Sequence, residues 1–286
     1  MLVNVKDLLE KAKAGGYAVG AFNTVNLETT QAIIEAAKEL SSPVIIQMTE
    51  KTFDYAGDRA IYQLTKNIAE LYAPDVPVGI HLDHGKSFEV VERAMEIGFG
   101  SVMYDGSRKD YVDNLIMTKK IVGIAHAKGV VVQAELGNVP YIGEMQMETV
   151  DWDRYMTDPD QAAQFVKETG IDTLAVAIGN AHGFFRERSV PDYDRLSMIA
   201  SLIDIPMVLH GASDWQNGKV TEVIKRGISC FNVDTATRLA FIGGLREILQ
   251  SEDEADLRKV LGKGREAVKA AVKGKIMAFG SAGKIA

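Results

Sequence analysis

Eight short apolar runs recur along the chain: Ala18–Phe22, Pro43–Met48, Val76–Leu82, Ser101–Tyr104, Val130–Ala134, Thr173–Ile178, Pro206–Leu209 and Cys230–Val233. Most are β-branched or aromatic and continuous rather than alternating, the pattern of strands buried on both faces of a parallel sheet. A helix-like stretch follows each unit. Leu27–Ala37 repeats its apolar residues at the three- and four-residue spacing of an amphipathic helix, and Phe88–Ile97, Asn114–Ala127, Asp160–Glu168 and Val220–Lys225 read similarly. Gly98, Gly129, Gly170 and Gly227 stand just past helix ends, where a missing Cβ permits the left-handed cap. Eight strand–helix units predict an α/β fold, a (β/α)8 TIM barrel. An open doubly wound sheet is the runner-up, but its Gly-rich dinucleotide fingerprint is missing after the first strand. A terminal helix over Asp256–Met277 and a glycine-rich tail, Phe279–Gly283, form a C-terminal extension. Residues 1–286 therefore read as a single domain.

Composition narrows the partners. The 286 residues carry a formal charge of −7, so no global basic field points to nucleic acid or an anionic membrane. A lone cysteine, Cys230, excludes an internal disulfide and a Cys-rich metal site. No apolar run approaches the roughly 20 residues of a bilayer span, and the first residues lack a signal-peptide pattern, so the cytoplasm is the expected compartment.

In such a barrel the loops at the C-terminal strand ends converge over the axis. Those ends carry Asn23, Thr49, Asp83 with His84, Asp105, Glu135, His182, His210, and Asn232 with Asp234. Singly, an Asn or Asp there reads as a turn or cap residue; jointly they aim metal-capable and hydrogen-bonding groups at one mouth. Of the five histidines, His126 falls inside a helix and His81 within the third strand, as a hydrogen-bonded core residue. His84, His182 and His210 follow strands three, six and seven, a spacing that only a closed barrel brings together. Three imidazoles and an open fourth position suit catalytic Zn²⁺, although Co²⁺, Fe²⁺ or Ni²⁺ also accept imidazole. His210-Gly211-Ala212-Ser213 and Asn232-Val233-Asp234-Thr235 offer amides and hydroxyls where barrels commonly bind phosphate. No predicted strand ends in Lys, which argues against a Schiff-base route.

These motifs, with Gly20-Ala21-Phe22-Asn23, His81-Leu82-Asp83-His84-Gly85, Ser101–Ser107, Ala134-Glu135-Leu136-Gly137, Ala181-His182-Gly183 and the tail Phe279–Lys284, resemble the class II ketose-bisphosphate aldolases over nearly the whole chain. The resemblance implies that His84, His182 and His210 are catalytic zinc ligands. It implies that Asp83 is the acid/base handling the C4 hydroxyl proton, and that Asp105 and Glu135 are carboxylates near the metal that hold zinc in an alternative position in some members. Asn23 and Asn232 match substrate-contacting residues. Gly211, Ser213, Asp234 and Thr235 match the site of the ketose C1 phosphate. Gly183, Gly211 and Ser213 match a monovalent cation site, Na⁺ or K⁺. Cleaving the C3–C4 bond leaves negative charge on the dihydroxyacetone phosphate half, which a Lewis acid such as Zn²⁺ stabilises. A second acid then returns a proton, in the family a glutamate on a mobile loop after strand five.

The sequence departs from the family in places. The loop after Glu135 has fewer glycines than usual and includes Pro140; Glu144 is the best match to the mobile acid, with Glu148 behind it. Asp214, before Trp215, replaces the usual glycine, and Phe184–Arg188 replaces a segment rich in Tyr, Lys and Gly. Thr49 replaces a more usual Ser but keeps the hydroxyl. Fructose 1,6-bisphosphate is the leading substrate, since Asp234-Thr235 with Arg238 resembles the fructose-type members. Its C4 epimer, tagatose 1,6-bisphosphate, or another phosphorylated ketose is the alternative. A non-catalytic partner subunit and a metal hydrolase are readings of other classes, and the retained histidines and Asp83 oppose the former. The family also implies a homo-oligomer, dimer or tetramer.

Overall fold

The structure is a computed structural model that describes residues 1–141, 151–183, 191–213, 215–251 and 254–285. Eight strands, β1 (Val19–Asn23), β2 (Val44–Met48), β3 (Val78–Gly85), β4 (Ser101–Tyr104), β5 (Val131–Leu136), β6 (Thr173–Val176), β7 (Met207–Leu209) and β8 (Ile228–Val233), are all parallel, and β8 pairs with β1 to close the barrel. The helices are α1 (Val5–Gly15), α2 (Leu27–Glu39), α3 (Glu50–Ala56), α4 (Asp58–Tyr72), α5 (Phe88–Ile97), α6 (Tyr111–Ala127), α7 (Pro159–Thr169), α8 (Tyr193–Leu202), α9 (Asn217–Ile224), α10 (Thr235–Ser251) and α11 (Leu257–Phe279). Side chains in the connections before them start several of these helices. Asn26, Thr49, Ser87, Asp158 and Asp256 each accept a hydrogen bond from a first-turn amide, satisfying a donor that has no partner inside the helix. The four glycines predicted to stop helices all have positive φ, from 69° to 115°.

The apparently continuous apolar strands conceal a period of two. One face of each carries Phe22, Ile46, Ile80, Leu82, Val102, Val132 and Leu209 into the layer packed under the helices. The other faces the barrel axis and changes character along its length. At the N-terminal end Val19, Ala21, Ile45, Met103, Val208 and Cys230 pack against Val5, Leu8 and Leu9 of α1, which plugs that end. Gly79 permits this seating, because a Cβ there would lie 2.7 Å from a Val5 methyl. Toward the C-terminal end the same face holds buried Asn23, Gln47, His81, Asp83, Gln133, Glu135 and Asn232.

Strand ends differ from the sequence expectation for identifiable reasons. β6 stops at Val176, two residues early, because the amides of Ala177 and Ile178 donate to side chains, Thr157 Oγ1 and Asn180 Oδ1, both at 2.8 Å. β3 continues past Leu82 to Gly85 through a register shift against β4. α11 packs on α2 and α10, and its last residue, Phe279, stacks on Phe231 at 4.5 Å. Gly283 and Ile285 then donate amide hydrogen bonds to Leu40 and Ser41, securing the tail. No helix among the described residues is long and apolar enough to cross a membrane.

Candidate active site

His84 is one of two non-glycine residues with positive φ among those described, at 50°. That left-handed geometry costs on the order of 1–3 kcal/mol and persists only where the surroundings enforce it. Here it falls within the β3 irregularity and turns the ring into the barrel mouth. His84 then lies 5.3 Å from the His182 ring and 4.6 Å from the His210 ring, centroid to centroid. The nitrogens His84 Nε2 and His210 Nδ1 face each other at 2.9 Å. His84, His182 and His210 each offer a ligand atom, all within 4.8 Å of one another; His84, Asp105 and Glu135 form a second such set.

Groups behind the rings set which nitrogens point inward. Asp105 Oδ2 lies 2.8 Å from His84 Nδ1, and Asp105 Oδ1 accepts hydrogen bonds from the Ser107 hydroxyl and amide. Gln133 Oε1 lies 3.1 Å from His210 Nε2; as it can only accept, it holds the proton there and leaves Nδ1 with its lone pair toward the centre. Glu135 Oε1 accepts from the Val139 amide, while Oε2, 3.9 Å from His210 Nδ1, is buried with no hydrogen-bond partner among the described residues. A cluster of imidazole lone pairs with an unpartnered buried carboxylate oxygen fits a divalent cation.

The protonation pattern follows from crowding. Burial lowers the His84 pKa, but the Asp83 charge, the Asp105 hydrogen bond and the Glu135 charge outweigh it and raise it to about 10. Burial, reinforced by the His84 charge, holds His182 down at about 3 and pushes His210 well below its ordinary value. Burial, with the neighbouring Asp105 charge, raises Glu135 to about 8. One positive charge, on His84, is therefore favoured among the three imidazoles, and a second is not.

Asp83 closes the inner side of the mouth. Its Oδ2 accepts from Asn23 Nδ2 at 2.9 Å and its Oδ1 from Asn232 Nδ2 at 3.0 Å, with His84 Nε2 3.8 Å from Oδ1. Gln47 Nε2 donates to Asn23 Oδ1 at 2.7 Å, which fixes the Asn23 amide with its NH₂ toward the carboxylate. Above lies an open cavity of about 200 Å³, lined by Asp83, His84, His182, His210, and the β7 and β8 ends. Gly211 has φ of 61°, and a Cβ there would lie 2.5 Å from the Ala181 carbonyl group, so only glycine lets the loop after β7 lie against the loop bearing His182. Thr235 opens the 17-residue α10 one residue beyond the end of β8, so the partial positive charge of a helix N-terminus faces the cavity beside Gly211 and Ser213. Arg238, one turn on, pairs with Asp234 at 2.9 Å.

The barrel brings together every described candidate from the sequence. Asn23, Thr49, Asp83, His84, His182, Gly183, His210, Gly211, Ser213, Asn232, Asp234, Thr235 and Arg238 all line the main cavity, and Asp105 and Glu135 an adjoining cleft behind His84. Thr49 also caps α3. Glu144, Glu148, Asp214, Arg186 and Arg188 lie outside the described residues. His81 is a core residue as expected, its Nδ1 2.8 Å from Ser101 Oγ, and His126 sits on α6 with Nε2 2.9 Å from Asp172. The sequence reading missed Gln47, Gln133, Asn180 and Tyr141. The first two sit two residues before Thr49 and Glu135, so strand parity alone would have found them. Asn180 Nδ2 donates to the His210 carbonyl at 2.9 Å. Tyr141, which lines both the cavity and the cleft, had no periodic signal.

The chain is similar to known proteins over its full length. The sequence profile of the class-II fructose-bisphosphate aldolase family matches residues 3–284. The fructose-bisphosphate aldolase of Thermus caldophilus is 43% identical across 99% of this chain and all of its own length. That of Geobacillus stearothermophilus is 41% identical, covering 100% of this chain and 99% of its own. Among solved structures, the YdjI aldolase of Escherichia coli K12 superimposes with a TM-score of 0.88 at 32% identity over the whole of both chains. With the rim geometry, these full-length matches establish that the chain belongs to the class II fructose-bisphosphate aldolase family.

Proposed function

We propose that the protein is a zinc-dependent aldolase that reversibly cleaves fructose 1,6-bisphosphate to dihydroxyacetone phosphate and glyceraldehyde 3-phosphate. The observation that carries this reading is the meeting of three imidazoles beside a doubly hydrogen-bonded Asp83. His84, His182 and His210 would hold Zn²⁺, with Asp105 and Glu135 next to it. The metal, when bound, supplies Lewis acidity to the ketose oxygens and stabilises charge left on the dihydroxyacetone phosphate half. Asp83 takes the proton of the C4 hydroxyl as the C3–C4 bond breaks and the aldehyde leaves, while the Asn23 and Asn232 amides hold its carboxylate in place. Glu144 returns a proton to C3. The amides and hydroxyls of Gly211, Ser213 and Thr235, with Asp234 beside them, receive the C1 phosphate; Thr49 and Arg238 contact the rest of the substrate. Backbone oxygens of Gly183, Gly211 and Ser213 would hold Na⁺ or K⁺.

The protein would act in the cytoplasm, and it would assemble as a homo-oligomer, dimer or tetramer, for which the exposed Leu239, Ile242 and Leu249 of α10 offer an apolar surface. A product-identified screen of fructose and tagatose 1,6-bisphosphates, with metal content measured and with chelator controls, tests the reaction. Chelator-sensitive release of dihydroxyacetone phosphate from the fructose epimer is expected. Preference for the tagatose epimer or another phosphorylated ketose would replace the substrate, and turnover indifferent to metal removal would overturn the mechanism.

A further inference from the structure

The three rim imidazoles are not held in the same way. Asp105 fixes His84 and Gln133 fixes His210 by hydrogen bonds to the nitrogen facing away from the centre. Among the described residues no side chain hydrogen-bonds the His182 ring. Its neighbour is instead the face of Tyr141, with ring centroids 4.6 Å apart and planes inclined by only 22°. The backbones run together at the same point: Tyr141 and His182 form a parallel bridge, and the His182 amide donates to the Pro140 carbonyl at 2.8 Å. The Arg108 guanidinium lies 5.9 Å from the Tyr141 ring centroid and braces its position.

We infer that Tyr141 is the positioning residue for His182, its aromatic face setting the plane in which the imidazole presents a nitrogen to His84 and His210. This rests on the reading of His182 as a metal ligand. The physical case is that a ligand ring loses rotational freedom on binding an ion, and a ring already confined loses less. Backbone pairing fixes where His182 starts but leaves its side-chain torsions free; a stacked flat ring removes the tilt. Tyr141 is 45% exposed, which separates this role from a core-packing one: its truncation removes the stack while leaving the barrel layers intact.

The test uses the full-length protein stripped of metal, with Tyr141→Phe, Tyr141→Leu and Tyr141→Ala. Zn²⁺ affinity is measured by chelator competition, and Co²⁺ binding by its visible absorption, which reports ligand geometry. Tyr141→Phe is expected to match the unaltered protein within about twofold. Leu and Ala should weaken binding by about three- to tenfold, the equivalent of one lost aromatic stack, and should alter the Co²⁺ bands. The Leu variant keeps the bulk, so the Phe-to-Leu comparison decides the matter even if Ala disturbs folding. Unchanged affinity and spectrum in the Leu variant, or a loss in Phe equal to that in Ala, would overturn the inference. Failure of the unaltered protein to take up either ion would instead remove the ligand assignment beneath it.

Discussion

Replacing Asp83 by Ala separates metal binding from catalysis, and the structure gives the size of each effect. Asp83 Oδ1 lies 3.8 Å from His84 Nε2, and both side chains are largely buried. At about 4 Å and an effective dielectric constant near 20, unit charges interact by about 4 kcal/mol, equivalent to about three pKa units. Without Asp83, the metal-free His84 pKa should fall from its raised value of about 10, because the charge that does most to raise it is gone. The carboxylate attracts a divalent ion for the same reason that it attracts this proton. Its loss therefore weakens both competitors, and apparent metal affinity near neutral pH should stay within about tenfold of the unaltered protein. Cleavage should drop by about 10²- to 10⁴-fold, the usual contribution of a positioned base. Stability should fall modestly, by about 1–2 kcal/mol, because the Asn23 and Asn232 amides lose their acceptor yet can reach cavity water. For a chain of this size that is a melting shift of about 2–8 °C. Metal content by elemental analysis, kcat with fructose 1,6-bisphosphate, and a melting curve measure all three. A metal-loaded Asp83→Ala protein with kcat within tenfold of normal would refute its role as base.

His210→Ala should lose metal and activity together, since it removes a ligand atom from a fully buried position; elemental analysis with full metal retention would contradict this. Gln133→Leu should weaken Zn²⁺ binding by about 10- to 100-fold by leaving the His210 Nε2 proton without an acceptor, whereas Gln133→Glu, which keeps one, should bind more nearly normally in chelator competition. Metal-free stability should peak near pH 6.5. Raised values at His84 (about 10) and Glu135 (about 8) give stability that is present at low pH and lost as pH rises through them, while lowered values at His81 and His182 (about 3) give stability lost as pH falls below about 6.5. Thermal melts of metal-free protein across this range check it; a melting point that climbs from pH 7 to pH 10 would be incompatible.

The barrel was legible because its strand–helix alternation and stop glycines are local signals, and α5 and β4 have the expected bounds. α1, α3, α4, α8 and α10 were not assigned from sequence. α10 begins at the residue after Asp234, so of the two anion-binding forms open to that segment, a nest or a helix N-terminus, the structure has the helix N-terminus. At the site, ligand identities were visible in the sequence because histidines at strand ends stand out. Their supports were not. Gln133 and Gln47 sit inside strands that read as uniformly apolar, and only the alternation between barrel axis and helix layer reveals them. Tyr141 escaped for a different reason: its contact with His182 spans 41 positions and depends on the path of a loop, which no periodicity encodes.

The division of the barrel lumen has a consequence for how such a protein can change. The hydrocarbon plug beneath, sealed by α1, and the polar storey above draw on different residues of the same strands. New chemistry can be written into the upper storey, one strand tip at a time, without touching the foundations on which the tips stand.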